Sequence, residues 1–223
     1  MDRREVLPRI VLAASLVAGA SYLASSAGVR GDPNLDLVWK GAGVGLLAVY
    51  AGLRARSLDG WLIAAVMALG ATGDVLLGAA GLIVGALAFL AGHVVAIWLY
   101  RRHRRPRLTR SQALFALTLV PATVVIAFSL PADRAAAPGI ALYSTGLALM
   151  AASAWTSRFP RFGAGLGAVM FLVSDLLIFA RLGPLAGSAW VGPAIWGLYY
   201  FGQALICIGV TGRLAWSNRA AAA

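Results

Sequence analysis

Charged residues are scarce in this chain, and acidic ones are scarcest. Only 12% of the 223 residues carry charge, and eight of them are Asp or Glu against nineteen Lys or Arg. A soluble domain of this length carries roughly twice that charged fraction, about 25%. There is one cysteine, Cys207, and it lies in an apolar run, so an intrachain disulfide and a cysteine-based metal site are both excluded. The histidines number two, His93 and His103, and neither belongs to an HExxH pattern. A GxSxG nucleophile turn, a P-loop and a dinucleotide fingerprint are also missing. No metal and no cofactor is therefore expected.

What the chain has instead is apolar length. Hydrophobic residues make up 61% and the mean hydropathy is +0.82. Eight apolar segments can be read, at roughly 10–28, 37–53, 61–80, 82–100, 112–130, 138–155, 163–181 and 191–212. Each approaches the ~20 residues that a membrane-spanning helix needs. The runs are continuous instead of alternating, which argues against a β-barrel. The expected fold is all-α: a polytopic bundle of eight transmembrane helices forming one integral membrane domain over 1–223. A short Gly-rich turn around Gly78 to Gly81 makes the third and fourth segments a tight hairpin. The N-terminus resembles a signal peptide, with basic residues, an apolar run and the small residues Ala24 to Gly28. The run is long for that, so a retained first helix is expected.

The net charge of +11 raises the question of nucleic acid, but the basic residues fall between apolar runs. With eight helices, fifteen arginines lie on the N-terminal side of the membrane, six of them between Arg101 and Arg110. The other side holds Arg30, Arg134 and Arg181, and Lys40 falls inside the second segment. This asymmetry places both termini in the cytoplasm and the Arg101–Arg110 run beside anionic headgroups, with no nucleic acid as partner. Many Arg against one Lys, with abundant Ala, suggests a GC-rich bacterial genome, hence a bacterial cytoplasmic (inner) membrane.

Two acidic residues break the apolar pattern. Asp175 sits in Phe171-Leu172-Val173-Ser174-Asp175-Leu176-Leu177-Ile178-Phe179, and Asp74 in Leu69-Gly70-Ala71-Thr72-Gly73-Asp74-Val75-Leu76-Leu77. A carboxylate in hydrocarbon costs several kcal/mol, about 2.5–3.5 on insertion scales, so such residues turn inward and usually serve a function. Both fall in the third helix of a four-helix half, and Gly92-His93 and Gly202-Gln203 in the fourth, which suggests two parallel repeats.

Counting along the helices puts Asp74 and Asp175 at one depth, somewhat outside the midplane, with Lys40, Tyr143, Tyr200 and Gln203 near the same level. Tyr199 lies beside Tyr200, and His93 falls deeper in the fourth helix. A cavity open to the outer leaflet, suited to an amphiphile, fits this layout. Plainer roles compete: Lys40 can snorkel to the interface, the tyrosines can serve as packing aromatics, His93 can bridge helices, and Gly73, Gly92, Ser174 and Gly202 can serve close packing. Two carboxylates near one another in low dielectric do not both ionise readily, so the pair suits acid–base chemistry. It also suits proton-coupled transport, the main alternative.

The ordered pieces resemble the YhhN family, also called the transmembrane protein 86 or lysoplasmalogenase family. They are Lys40, Gly73-Asp74-x-Leu-Leu, Phe89-x-x-Gly92-His93, Ala141-Leu142-Tyr143, Ser174-Asp175 and Tyr199-Tyr200-x-x-Gln203-x-Leu-Ile. They span about 40 to 209. The chain departs from the family pattern at Gly41, often Pro, and at Gly202, often Ala. The resemblance implies a cofactor-free membrane hydrolase that cleaves the vinyl ether of a lysoplasmalogen, a lysophospholipid, to a fatty aldehyde and a glycerophospho-alcohol. Asp74 and Asp175 would be catalytic, in roles that stay open. Lys40, His93, Tyr143, Tyr199, Tyr200 and Gln203 would bind or orient. A hydrolase of another ether or ester lipid is a further alternative.

Overall fold

A computed structural model of the chain describes residues 3–28 and 32–222; Arg30, placed above on the sparsely charged side, lies outside the described residues. The described chain is all-helical. Its elements are α1 (Arg3–Ser26), α2 (Pro33–Arg54), α3 (Leu58–Ala79), α4 (Leu82–Arg102), α5 (Arg110–Ser129), α6 (Ala137–Trp155), α7 (Leu166–Ala180) and α8 (Val191–Ala222). One π-helical turn, Arg161–Gly165, leads into α7. All eight helices are long and apolar enough to cross a bilayer, α7 when joined to its π-helical turn.

Local chemistry explains where the helices begin. Asp32 caps α2 by accepting from the backbone nitrogens of Asn34 (2.8 Å) and Leu35 (3.2 Å), with Pro33 at the first helical position. Ser57 caps α3 through Gly60. Thr109 and Gln112 form a reciprocal capping box at the start of α5. The turn between α3 and α4 depends on Gly81, whose φ of +90° suits a residue without a Cβ.

Hydrogen bonds and an ion pair gather the helix ends. At the arginine-rich end, Asp59 at the start of α3 binds Arg102 Nε (2.7 Å) and His103 Nε2 (2.9 Å) after α4. The chain just beyond α4 also pairs with the chain beyond α6, through Arg105 N to Thr156 O and Arg158 N to His103 O. At the opposite end the α5–α6 loop meets the end of α7, Ala132 N donating to Leu182 O.

The centre of the bundle is α7 against α8, the most buried spans; α1 and α5 are the least buried. The α7–α8 contact is backbone against backbone. A Cβ at Gly167 would lie 2.4 Å from the Gly202 carbonyl oxygen, and one at Gly202 would lie 2.7 Å from that of Gly167. Glycine at both positions lets the helices approach closely. The close-packing role expected of Gly202 is therefore what the structure shows. Gly73 makes room for the Phe89 ring, whereas a Cβ at Gly92 would meet Leu69 at an ordinary 3.4 Å.

Gly167→Ala should lower unfolding free energy in detergent by about 1–3 kcal/mol, since overpacking forces the helices apart. The same substitution at Gly212, where a Cβ meets nothing within 4 Å, should leave stability unchanged or raise it by up to ~1 kcal/mol. Thermal unfolding of the two variants side by side makes the comparison.

Candidate active site

Six helices contribute to one polar cluster inside the apolar bundle. Asp74 on α3 is 2% exposed and Asp175 on α7 is 5% exposed, so neither carboxylate faces the lipid. Each is held by a tyrosine from a neighbouring helix. Tyr199 on α8 donates to Asp74 Oδ2 at 2.7 Å. Tyr143 on α6 donates to Asp175 Oδ2 at 2.6 Å. Charged acceptors make such bonds shorter and stronger than neutral ones.

The two aspartates differ in their remaining partners. Lys40 Nζ on α2 stands 3.6 Å from Asp74 Oδ1. Lys40 is therefore an ion-pair partner in the cluster and does not simply snorkel, although its side chain keeps 23% exposure. Among the described residues no cation contacts Asp175. Its other oxygen faces the neighbouring Ser174 hydroxyl at 3.4 Å.

The remaining expected residues divide. His93, in the middle of α4, joins the cluster from deeper in the bundle, its Nε2 lying 3.3 Å from the Tyr143 hydroxyl. Gln203 lies one helical turn after Tyr199, on the same face of α8. Its Nε2 borders Gly70, beside the Tyr199 hydroxyl, and its Oε1 is buried with no hydrogen-bond partner. A buried acceptor left unpaired is uncommon, and a bound hydroxyl or water would satisfy it.

Tyr200 is not brought to the carboxylates. One residue after Tyr199, it projects to another face of α8, where its hydroxyl lies 3.0 Å from Ser15 on α1 and its ring stacks on Trp196. Gly19 leaves room for that ring. Ser15 also donates to the Gly43 carbonyl, so Tyr200 helps to lock α1, α2 and α8 together.

Several contributors escaped the sequence reading. The rings of Phe89 and Phe171 pack edge-on against each other and against Tyr199, and Phe171 also touches His93. They sit among the partners of both aspartates. Asp36, on the same helix as Lys40, accepts from Tyr22 (3.0 Å) and from Ser25. Those bonds tie α2 to α1 and lie outside the cluster.

An apolar groove lies beside the pocket that Asp175 lines. It has a volume of about 430 Å³ and runs between α4 and α6, past Leu87, Leu90, Gly139 and Leu142 to Tyr143 and Phe179. Tyr143 and Phe179 also line a pocket of about 30 Å³ whose wall includes Asp175 and Phe89. That is room for one or two water molecules. Among the described residues no three His, Cys, Asp or Glu side chains gather as a metal site would.

The model of the YhhN family matches residues 35–210, and the chain belongs to that family. No curated protein and no solved structure matches it.

Removing the lysine tests the ion pair. Lys40→Met should destabilise the protein by about 1–3 kcal/mol, less than a fully buried pair would lose because the lysine is partly exposed. Adding Asp74→Asn should recover part of that loss, since asparagine can still accept from Tyr199. A double-mutant cycle of unfolding free energies reads the coupling.

Proposed function

We propose that this YhhN-family chain hydrolyses the vinyl ether bond of a lysoplasmalogen-type lysophospholipid, releasing a fatty aldehyde and a glycerophospho-alcohol. The observation that carries the reading is the groove between α4 and α6, apolar along its length, which shares Tyr143 and Phe179 with the small pocket that Asp175 lines. An alkenyl chain matches such a wall, and a site of this size is typical of a small-molecule pocket.

The chemistry asks for three things: a proton for the β-carbon of the vinyl ether, stabilisation of the resulting cation, and a water molecule. Asp175 is assigned the proton. It touches hydroxyl groups and no cation among the described residues. Asp74 is the ionised member, because it faces the Lys40 ammonium. Proton transfer from Asp175 to the β-carbon breaks the C=C π bond and leaves an oxocarbenium ion, with positive charge shared between the α-carbon and the ether oxygen. Negative charge nearby lowers the energy of that ion. The faces of Phe89 and Phe171 are attractive to a cation as well.

Water then attacks the α-carbon and gives up a proton to the carboxylate pair. The product is a hemiacetal, which collapses as its hydroxyl proton passes, through the carboxylate pair, to the glycerol oxygen, the C=O bond forming while the bond from carbon to that oxygen breaks. Aldehyde and alcohol leave, and both carboxyl groups are restored. Tyr143 and Tyr199 hold the two carboxyl groups in place throughout. The unpaired Gln203 Oε1 offers an acceptor to water or to a glycerol hydroxyl. This arrangement favours an outer-leaflet approach if both termini are cytoplasmic, as the charge distribution expects.

Purified protein in detergent, given a lysoplasmalogen, should release aldehyde. Asp74→Asn and Asp175→Asn should each lower the rate by at least about 100-fold, the scale of a lost general acid or base, while folding normally. Turnover in detergent, where no gradient exists, separates a hydrolase from a proton-coupled transporter. Full activity of either Asn variant would refute the mechanism.

A further inference from the structure

The run Arg101–Arg105 is not uniform. Arg102 is engaged, binding Asp59 and lying over the Trp98 ring. Arg105 is engaged too, its Nε donating to the Ser157 carbonyl at 2.6 Å. Arg101 and Arg104 are exposed, and their side chains have no hydrogen-bond, ion-pair or ring partner among the described residues. Both line one cavity of about 320 Å³ between α4, α5 and α6. The pairing of the 103–105 stretch with 156–158 holds Arg104 beside the end of α6.

We propose that this cavity binds the phosphate headgroup of an anionic phospholipid from the leaflet at the arginine-rich end. The cavity is separate from the aspartate cluster, and its occupant would not be the substrate. The polar side chains of its wall belong to Tyr100, Arg101, Arg104, Ser153 and Thr156, the Thr156 hydroxyl being committed to the Ala152 carbonyl. The two guanidinium groups, with the Ser153 hydroxyl beside them, are the donors that a phosphodiester needs.

The rest of the wall distinguishes a lipid from a soluble anion. Leu108, Leu149 and other apolar side chains complete it. One flank is α5, the least buried helix of the bundle, so the cavity borders the lipid phase. A free phosphate would gain nothing from that half of the wall, whereas a glycerophospholipid would use both. Basic pockets between transmembrane helices are suited to anionic headgroups. Neither Arg101 nor Arg104 has an acidic partner to displace, so binding would cost no existing ion pair.

Native mass spectrometry of the delipidated protein reads this directly. Titrated with phosphatidylglycerol, the protein should retain one tightly held lipid, and with phosphatidylcholine of the same chains it should retain far less. Arg101→Gln/Arg104→Gln should weaken phosphatidylglycerol binding about thirtyfold. Arg107→Gln/Arg110→Gln removes the same charge from the same loop but outside the cavity wall, and should bind nearly as wild type does. Ser153→Leu fills the cavity without changing charge and should also weaken binding. Thermal unfolding confirms that each variant is folded. The proposal is overturned if both arginine pairs behave alike, if phosphatidylcholine binds equally well, or if Ser153→Leu binds as wild type. Displacement of the lipid by millimolar inorganic phosphate alone would overturn it too, marking a free-phosphate site.

Discussion

The structure depends on keeping two carboxyl groups inside apolar helices. Unpartnered, each would be expelled to water or leave the helix unstable. Tyr199 and Tyr143 supply the partners, and each crosses a helix interface to do so: α8 to α3 and α6 to α7. The two hydrogen bonds therefore act as cross-links as well as site geometry. The first binds an early helix to the last one, and the second joins two late helices. His93 extends the Tyr143 link to α4, and Lys40 extends the Tyr199 link to α2.

Such short cross-links require helices that approach closely. The chain provides this with glycine where backbones meet, as at Gly167 and Gly202. Lipid offers no hydrophobic drive for helices to associate, so van der Waals contact over small residues carries much of the packing. Gly73 does related work beside Asp74. A Cβ there would come within 2.8 Å of the Phe89 ring, so the glycine lets that aromatic ring sit next to the carboxylate. The glycine before Asp74 thus follows from the space its neighbours need.

Much of this was legible in the sequence, because the bilayer imposes simple rules. A run of about 20 apolar residues is enough to place a span, and all eight spans are found, six of them with both ends within four residues of that reading. The largest shifts come at α1 and α8, whose terminal turns are polar and so fall outside an apolar run. The two aspartates announced themselves by cost alone. What composition hides is the direction of a side chain around its helix. Tyr199 and Tyr200 look alike in the sequence, yet one turn of about 100° sends the first to Asp74 and the second to Ser15. Phe89 and Phe171 are silent for another reason: a buried phenylalanine is expected everywhere in such a chain, and only its neighbours make it part of a site.

The placement of the single lysine follows from the same solvation argument. Eighteen arginines serve this chain, and most lie at helix ends or in loops where water can reach all five donors of the guanidinium group. An arginine beside Asp74 would have to satisfy those five donors within an apolar bundle. Lysine has three, on a compact head with a flexible apolar stem. Partial exposure of Lys40 leaves some of those donors to solvent while Nζ faces the carboxylate. One buried acceptor is then enough, and Asp74 provides it. Asp175 has no such partner and relies on hydroxyl groups, which can accept a proton's departure or return without a fixed counter-charge. Two aspartates in similar helical surroundings are thereby made chemically different by one residue on a third helix.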